Sequence, residues 1–108
     1  MFSLRTALPV DRRVNTEDYY RIETYPNPFN PTIFIPFYLP FETTVKIEVY
    51  NLLGQHVSTL LNRNLTAGKH QVIWQGNYDN GMSASSGAYF IRLETPQSIQ
   101  SQKIVMLK

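Results

Sequence analysis

The sequence predicts a small antiparallel β-sandwich of about seven short strands, and three observations predict it. Apolar residues alternate with period two over several short stretches, as half-buried strands require. Turn signals rich in Pro, Gly and Asn separate those stretches at close spacing. No amphipathic helical pattern of useful length occurs, and without crossover helices a parallel sheet is excluded. Composition agrees: 43% of the 108 residues are hydrophobic, enough for one core, and the seven Tyr, six Phe and one Trp favour strands.

The elements follow in order. Residues 1–21 carry mixed charge and no sustained period and read as a linker or tail; the β region, 22–108, reads as one domain. Three prolines crowd Tyr25-Pro26-Asn27-Pro28-Phe29-Asn30-Pro31, a rigid, kinked opening that no helix or central strand admits. Ile33, Ile35, Phe37 and Leu39 then share one face, and Pro36 marks that strand as an edge or a bulge. Val45, Ile47 and Val49 give the cleanest alternation. Asn51-Leu52-Leu53-Gly54 is a turn, His56–Leu61 a strand and Asn62–Gly68 a loop. His70, Val72 and Trp74 alternate with Gln71 and Ile73. A long polar loop, Gly76–Gly87, contains Asp79-Asn80-Gly81, read as a type I′ or similar turn, and a Ser-rich stretch read as a flexible tip. Ala88–Glu94 and Ile99–Leu107 are the last strands, joined by a hairpin-length turn at Thr95-Pro96-Gln97. The expected core is Ile33, Ile35, Phe37, Val45, Ile47, Val49, Val72, Trp74, Tyr89, Ile91 and Leu93.

The chemistry-bearing residues argue against catalysis. Ten Lys and Arg against eight Asp and Glu leave +2, with no basic stripe of the kind nucleic acid requires. The absence of Cys removes disulfides, thiolate catalysis and zinc ribbons. His56 and His70 lack the further ligands a metal site needs. Gly81-Met82-Ser83-Ala84-Ser85 approaches a nucleophile elbow but lacks its final Gly and its strand-turn-helix setting. Asp79-Asn80-Gly81 lacks the carboxylates of a calcium loop. Phe34, Tyr38, Tyr50, Trp74 and Tyr78 could form a sugar-stacking platform, against the plainer reading of Trp74 as core and the tyrosines as half-buried strand residues. No apolar run approaches the length of a membrane span, and Arg5 interrupts any signal-peptide core, so the chain is expected to be soluble, without enzymatic activity, metal or cofactor.

The ordered series of motifs carries more than any single residue. The opening Tyr25–Thr32 is followed by Val45-Lys46-Ile47-Glu48-Val49-Tyr50-Asn51-Leu52-Leu53-Gly54-Gln55-His56-Val57, then Leu65–Trp74, Ser86-Gly87-Ala88-Tyr89-Phe90-Ile91-Arg92-Leu93, and Lys103–Lys108. This resembles the C-terminal sorting domain of the bacterial type IX secretion system, which is close in fold to the immunoglobulin-like domain of the flagellar hook-capping protein. Gln75 stands where that family usually carries an acid, and Gly81–Ser85 where a Gly-x-Pro-x-Ala run is common. The resemblance implies an immunoglobulin-like sandwich over about 22–108. It implies a module that directs a larger cargo through the periplasm and across the outer membrane to the surface or medium. Its partners would be the translocon, shuttle proteins and a sorting peptidase acting in the preceding linker, and the isolated domain would be a monomer or weak dimer. The family's signal maps onto Pro26, Asn27, Pro28, Gly87, Tyr89, Lys103 and Lys108. A carbohydrate-binding or spacer module of a secreted enzyme is the alternative.

Overall fold

The computed structural model describes residues 22, 24–26 and 31–108. Six strands form two antiparallel sheets: β1 (Ile33–Leu39), β2 (Thr43–Asn51), β3 (His56–Leu65), β4 (Gly68–Trp74), β5 (Gly87–Thr95) and β6 (Ser98–Met106). One sheet pairs β1 with β4; the other has the order β3-β2-β5-β6. The expected sandwich is present with six strands. In place of a seventh, an opening segment bridges to the outer side of β1, Ile22 to Phe37 and Tyr25 to Phe34.

The core lies between the sheets and follows the alternation. Ile33, Ile35, Phe37 and Leu39 of β1, Val45, Ile47 and Val49 of β2, and Tyr89, Ile91 and Leu93 of β5 are buried. Trp74 closes one end and Val72 is only partly buried, because β4 is an outer strand that its neighbours do not fully cover. Ile22, Val57, Ala84, Ile104 and Met106 complete the core beyond the expected set. Pro36 behaves as an edge residue. Phe34 exchanges both its main-chain bonds with Tyr25, so by the antiparallel alternation Pro36 also faces away from β4, and the β1–β4 ladder loses no donor.

Three expectations need correction. Asn62, Arg63 and Asn64 are not loop: they continue β3 in register with Lys46, Val45 and Thr44, so pairing overrides the low strand preference of Asn. Only Thr66 and Ala67 separate β3 from β4. The turn at Asp79-Asn80 is type I, not type I′. Gly81 N–H donates to Tyr78 O and Tyr78 N–H to Met82 O, and among the described residues only glycines take positive φ. The Asn51–Gln55 turn repeats this plan, with Gly54 in the left-handed position. The Ser-rich loop is tied down: Ala84 is fully buried, its N–H donates to Gly76 O at 2.8 Å, and Asn77 bridges to Ser83.

Candidate functional site

Gly87, Tyr89 and Lys108, three of the four motif residues of the C-terminal half, lie at one end of the sandwich. Gly87 opens β5 opposite Met106, and Tyr89 stands opposite Ile104. Gly87 has φ 147°, a backbone geometry that side-chain-bearing residues rarely adopt, although a β-carbon there would meet nothing within 4 Å. Backbone shape, not space, therefore selects glycine. Two residues on, the Tyr89 ring is 4% exposed and packs edge-on against Trp74 at 5.1 Å. Its hydroxyl donates to Ser85 O at 2.6 Å, and Trp74 Nε1–H donates to Asn77 O at 2.8 Å. Both rings are thus clamped to the 76–86 loop.

That loop also holds the end of the chain. Lys108 N–H donates to Ser86 Oγ at 3.0 Å, and its ammonium donates to Ser83 Oγ. Gly76 is buried under the same cluster; a β-carbon at its φ of +74° would lie 2.6 Å from Met106 Sδ and 3.2 Å from Pro31 O. Lys103, opposite Phe90, is exposed on the outer face of β6, and β6 is an outer strand of its sheet. Pro26 is exposed and follows a cis peptide bond. Asn27 and Pro28 lie outside the described residues. The structure thus gathers Gly87, Tyr89 and Lys108 at one end, leaves Lys103 further along β6, and puts Pro26 on the opening segment that flanks β1. Sequence reasoning missed Ser83, Ser86 and Gly76. Their partners lie more than twenty residues away in the chain, so no local pattern marks them.

A second polar cluster covers the outer side of β2 and β3. The Glu48 carboxylate accepts from Tyr50 Oη at 2.6 Å and Thr59 Oγ1 at 3.3 Å, with Lys46 Nζ at 3.8 Å and His56 Nε2 at 3.4 Å. Partial burial pushes Glu48 up, but Tyr50, Lys46, Thr59 and His56 together outweigh it and hold the carboxyl below its ordinary 4.5. The same bond, with burial, raises the Tyr50 phenol. Asp79 reaches across from the loop and accepts from Thr59 N at 2.9 Å and Ser58 Oγ at 3.1 Å; chiefly the Thr59 N–H lowers its pKa. His70 Nε2 contacts Thr66 O at 2.7 Å. Among the described residues no three His, Cys, Asp or Glu side chains converge as a metal site would require, and no helix is long and apolar enough to cross a membrane.

The aromatic residues do not form one platform. Phe34 and Tyr38 face outward from β1, Tyr50 faces outward from the other sheet, and Trp74 is buried in the core.

An all-β sandwich with its motif residues gathered around a pinned terminal strand defines the class of molecule, and the comparisons give the family. The model for the secretion system C-terminal sorting domain matches residues 23–107, and the chain belongs to that family. It is a sorting domain of the type IX kind that the ordered motifs resemble, and the protein that carries such a domain is a secreted or cell-surface bacterial protein. No curated protein matches the chain. Among solved structures it is similar to dimeric latent PorU from Porphyromonas gingivalis (TM-score 0.66, 17% identity, covering 80% of this chain and 9% of that one). It is also similar to PorZ, an essential surface component of the type IX secretion system of the same organism (0.59, 15%, 81% and 11%). FlgD from Pseudomonas aeruginosa shares the fold as well (0.56, 19%, 80% and 74%). At these identities the likenesses show the immunoglobulin-like fold; the chain spans about a tenth of the PorU and PorZ chains.

Proposed function

We propose that residues 22–108 form the sorting unit itself, with residues 1–21 a linker, and that the end of the folded sandwich is what the secretion machinery reads. The family match over 23–107 carries this reading. The cargo passes through the periplasm, the outer-membrane translocon and its shuttle bind the folded domain, and a surface peptidase cuts in the preceding linker. The similarity to PorU and PorZ supports that setting. Sorting needs binding and no bond chemistry, so the domain acts without catalysis, cofactor or metal.

Tyr89 is buried, whereas Gly87 is exposed and set by its φ of 147°. Gly87 and Tyr89 shape the start of β5 and hold the 76–86 loop; they act through the surface they build. Lys103 and Lys108 are exposed and offer the receptor two positive charges along the terminal strand. Pro26, Asn27 and Pro28 belong to the opening motif that follows Ile22, whose bridge to Phe37 already seats the chain on β1.

A reporter carrying an inner-membrane signal peptide and residues 22–108 at its C-terminus tests the assignment in a type IX-competent cell. The fusion is expected outside the cell. Lys103→Ala with Lys108→Ala is expected to keep the domain folded, since exposed changes usually shift stability by under about 0.5 kcal/mol, and to leave the reporter in the periplasm. Export equal to the parent would show that the lysines are not read. No export of the intact fusion, with the machinery active on its own substrates, would sink the sorting reading.

A further inference from the structure

The sequence holds one Asn-Gly step, Asn80-Gly81, and it lies on the exposed turn of the 76–86 loop. Asn-Gly is the step at which a main chain most readily modifies itself. Glycine has no β-carbon to hinder its own amide nitrogen, so that nitrogen can reach the neighbouring carboxamide. The Gly81 nitrogen gives up its proton and attacks Asn80 Cγ. The bond from Cγ to Nδ2 breaks, and Nδ2 leaves with the proton as ammonia. Water then opens the resulting succinimide at either carbonyl, leaving aspartate or isoaspartate. Nothing is oxidised or reduced, and water is the only co-reactant.

The folded turn engages both reacting groups. Gly81 N–H, whose proton must leave, donates to Tyr78 O at 2.9 Å, and that bond favours the protonated nitrogen. Asn80 Oδ1 accepts from Met82 N–H at 2.9 Å, which fixes the carboxamide. The third residue of a type I turn has ψ of about 0°. Ring closure needs the Gly81 nitrogen eclipsed with the Asn80 β-carbon, a rotation of roughly 120° about ψ from that value. Such a rotation breaks the bond to Tyr78. The turn is braced against it: Tyr78 N–H donates to Met82 O at 2.8 Å, and the Asp79 carboxylate accepts from Thr59 N–H at 2.9 Å and Ser58 Oγ at 3.1 Å.

We infer that Asn80 is a self-modification site that the fold masks: its side chain deamidates when the 76–86 loop opens and is held unreactive while the loop is closed. Accessibility alone would make it reactive in the folded chain, since Asn80 and Gly81 are both exposed. The geometry of the turn is what withholds it. The folded rate is then the unfolded-chain rate multiplied by the fraction of time the loop is open. The change falls between two anchors of the loop. It places a new carboxylate beside Asp79, which grips β3, and in the isoaspartyl form it adds a main-chain methylene between Asp79 and Ser83, which takes the Lys108 ammonium. The inference is independent of the sorting assignment.

Peptide mapping by mass spectrometry reads the conversion at each Asn of the 108-residue chain, kept in mildly alkaline buffer with and without unfolding concentrations of guanidinium chloride. In the denaturant Asn80 is expected to convert ahead of every other Asn. In the folded domain it is expected to convert at least about tenfold more slowly than in the denaturant. Isoaspartate-specific methylation of the same peptide identifies the succinimide route. Asp79→Ala removes a brace and leaves Asn80-Gly81 intact. It is expected to raise the folded rate several-fold and to leave the rate in denaturant as in the parent. Should that variant perturb the fold, the parent alone decides: its rate is expected to climb with denaturant as the loop opens. Equal rates in the folded and unfolded chain, a conversion in denaturant no faster at Asn80 than elsewhere, or a folded Asp79→Ala domain that converts at the parent's rate would each overturn the inference.

Discussion

Trp74 joins the two sheets at the end of the molecule where the motif residues gather. Its ring is 1% exposed and meets Tyr89 edge-on, and its indole N–H is used by Asn77 O. Truncation would open a large cavity and strand that carbonyl. Trp74→Ala is expected to cost about 3–5 kcal/mol, seen as a lowered melting temperature; an unchanged melting temperature would remove Trp74 from the core. Its burial was legible from the His70–Val72–Trp74 alternation. That of Ile104 and Met106 was harder to read. β6 turns Gln100 and Gln102 inward and leaves Ile99 53% exposed, so over half the strand the polarity runs against the usual pattern. Val57 and Ser58 are adjacent and both buried, which a period of two forbids and a bulge allows. Tyr89 and Gly87 were legible as a motif, but not their attachment to Ser85 and to the left-handed region of φ.

At the scale of elements, β2 and β3 are held by charge as well as by their ladder. Glu48 and Asp79 have folded pKa values below their ordinary 4.5 and 3.8. Groups shifted down stabilise the fold above the unfolded value, and the contribution is lost as pH falls through the folded one. Tyr50 is shifted up from 10.0, so its contribution is full below that pH and is lost as pH rises through the higher folded value. Thermal stability is therefore expected to hold steady over about pH 5–9 with respect to these groups and to decline on both sides. Asp79→Ala should flatten the acid limb, and Tyr50→Phe should remove its share of the alkaline limb. Melting curves across pH check both, and an Asp79→Ala profile parallel to the parent's at acid pH would exclude the Thr59 contact as a source of the acid limb. None of this cluster was readable beforehand, because the β2–β3 register and the reach of the 76–86 loop bring Glu48, His56, Thr59 and Asp79 together from separate segments. The turns show the same limit. Asn-Gly suggested a type I′ hairpin, whereas the position of Gly81 after two residues of negative φ makes it type I.

For the whole molecule, the terminal strand builds the core and, in the proposed reading, also carries the signal, so a coarse deletion would confuse the two. Ile104 and Met106 are fully buried, and both lie in the β5–β6 ladder. Removing residues 104–108 exposes partners of two large side chains, each worth about 1.5–3 kcal/mol of burial. It also breaks ladder bonds worth about 1 kcal/mol each. That sum takes most of the 5–15 kcal/mol typical of a small domain. The truncated chain is expected to lose its cooperative melt and its protease resistance, so its retention inside the cell would report unfolding. Removing only Leu107 and Lys108 is different. Both are exposed and outside β6, and the deletion breaks the hydrogen bonds that Lys108 donates to Ser83 and Ser86. This shorter deletion is expected to melt cooperatively close to the parent, yet to leave a fused reporter in the periplasm. A folded reporter exported as efficiently as the parent would show that the receptor reads the sandwich body and not its last two residues.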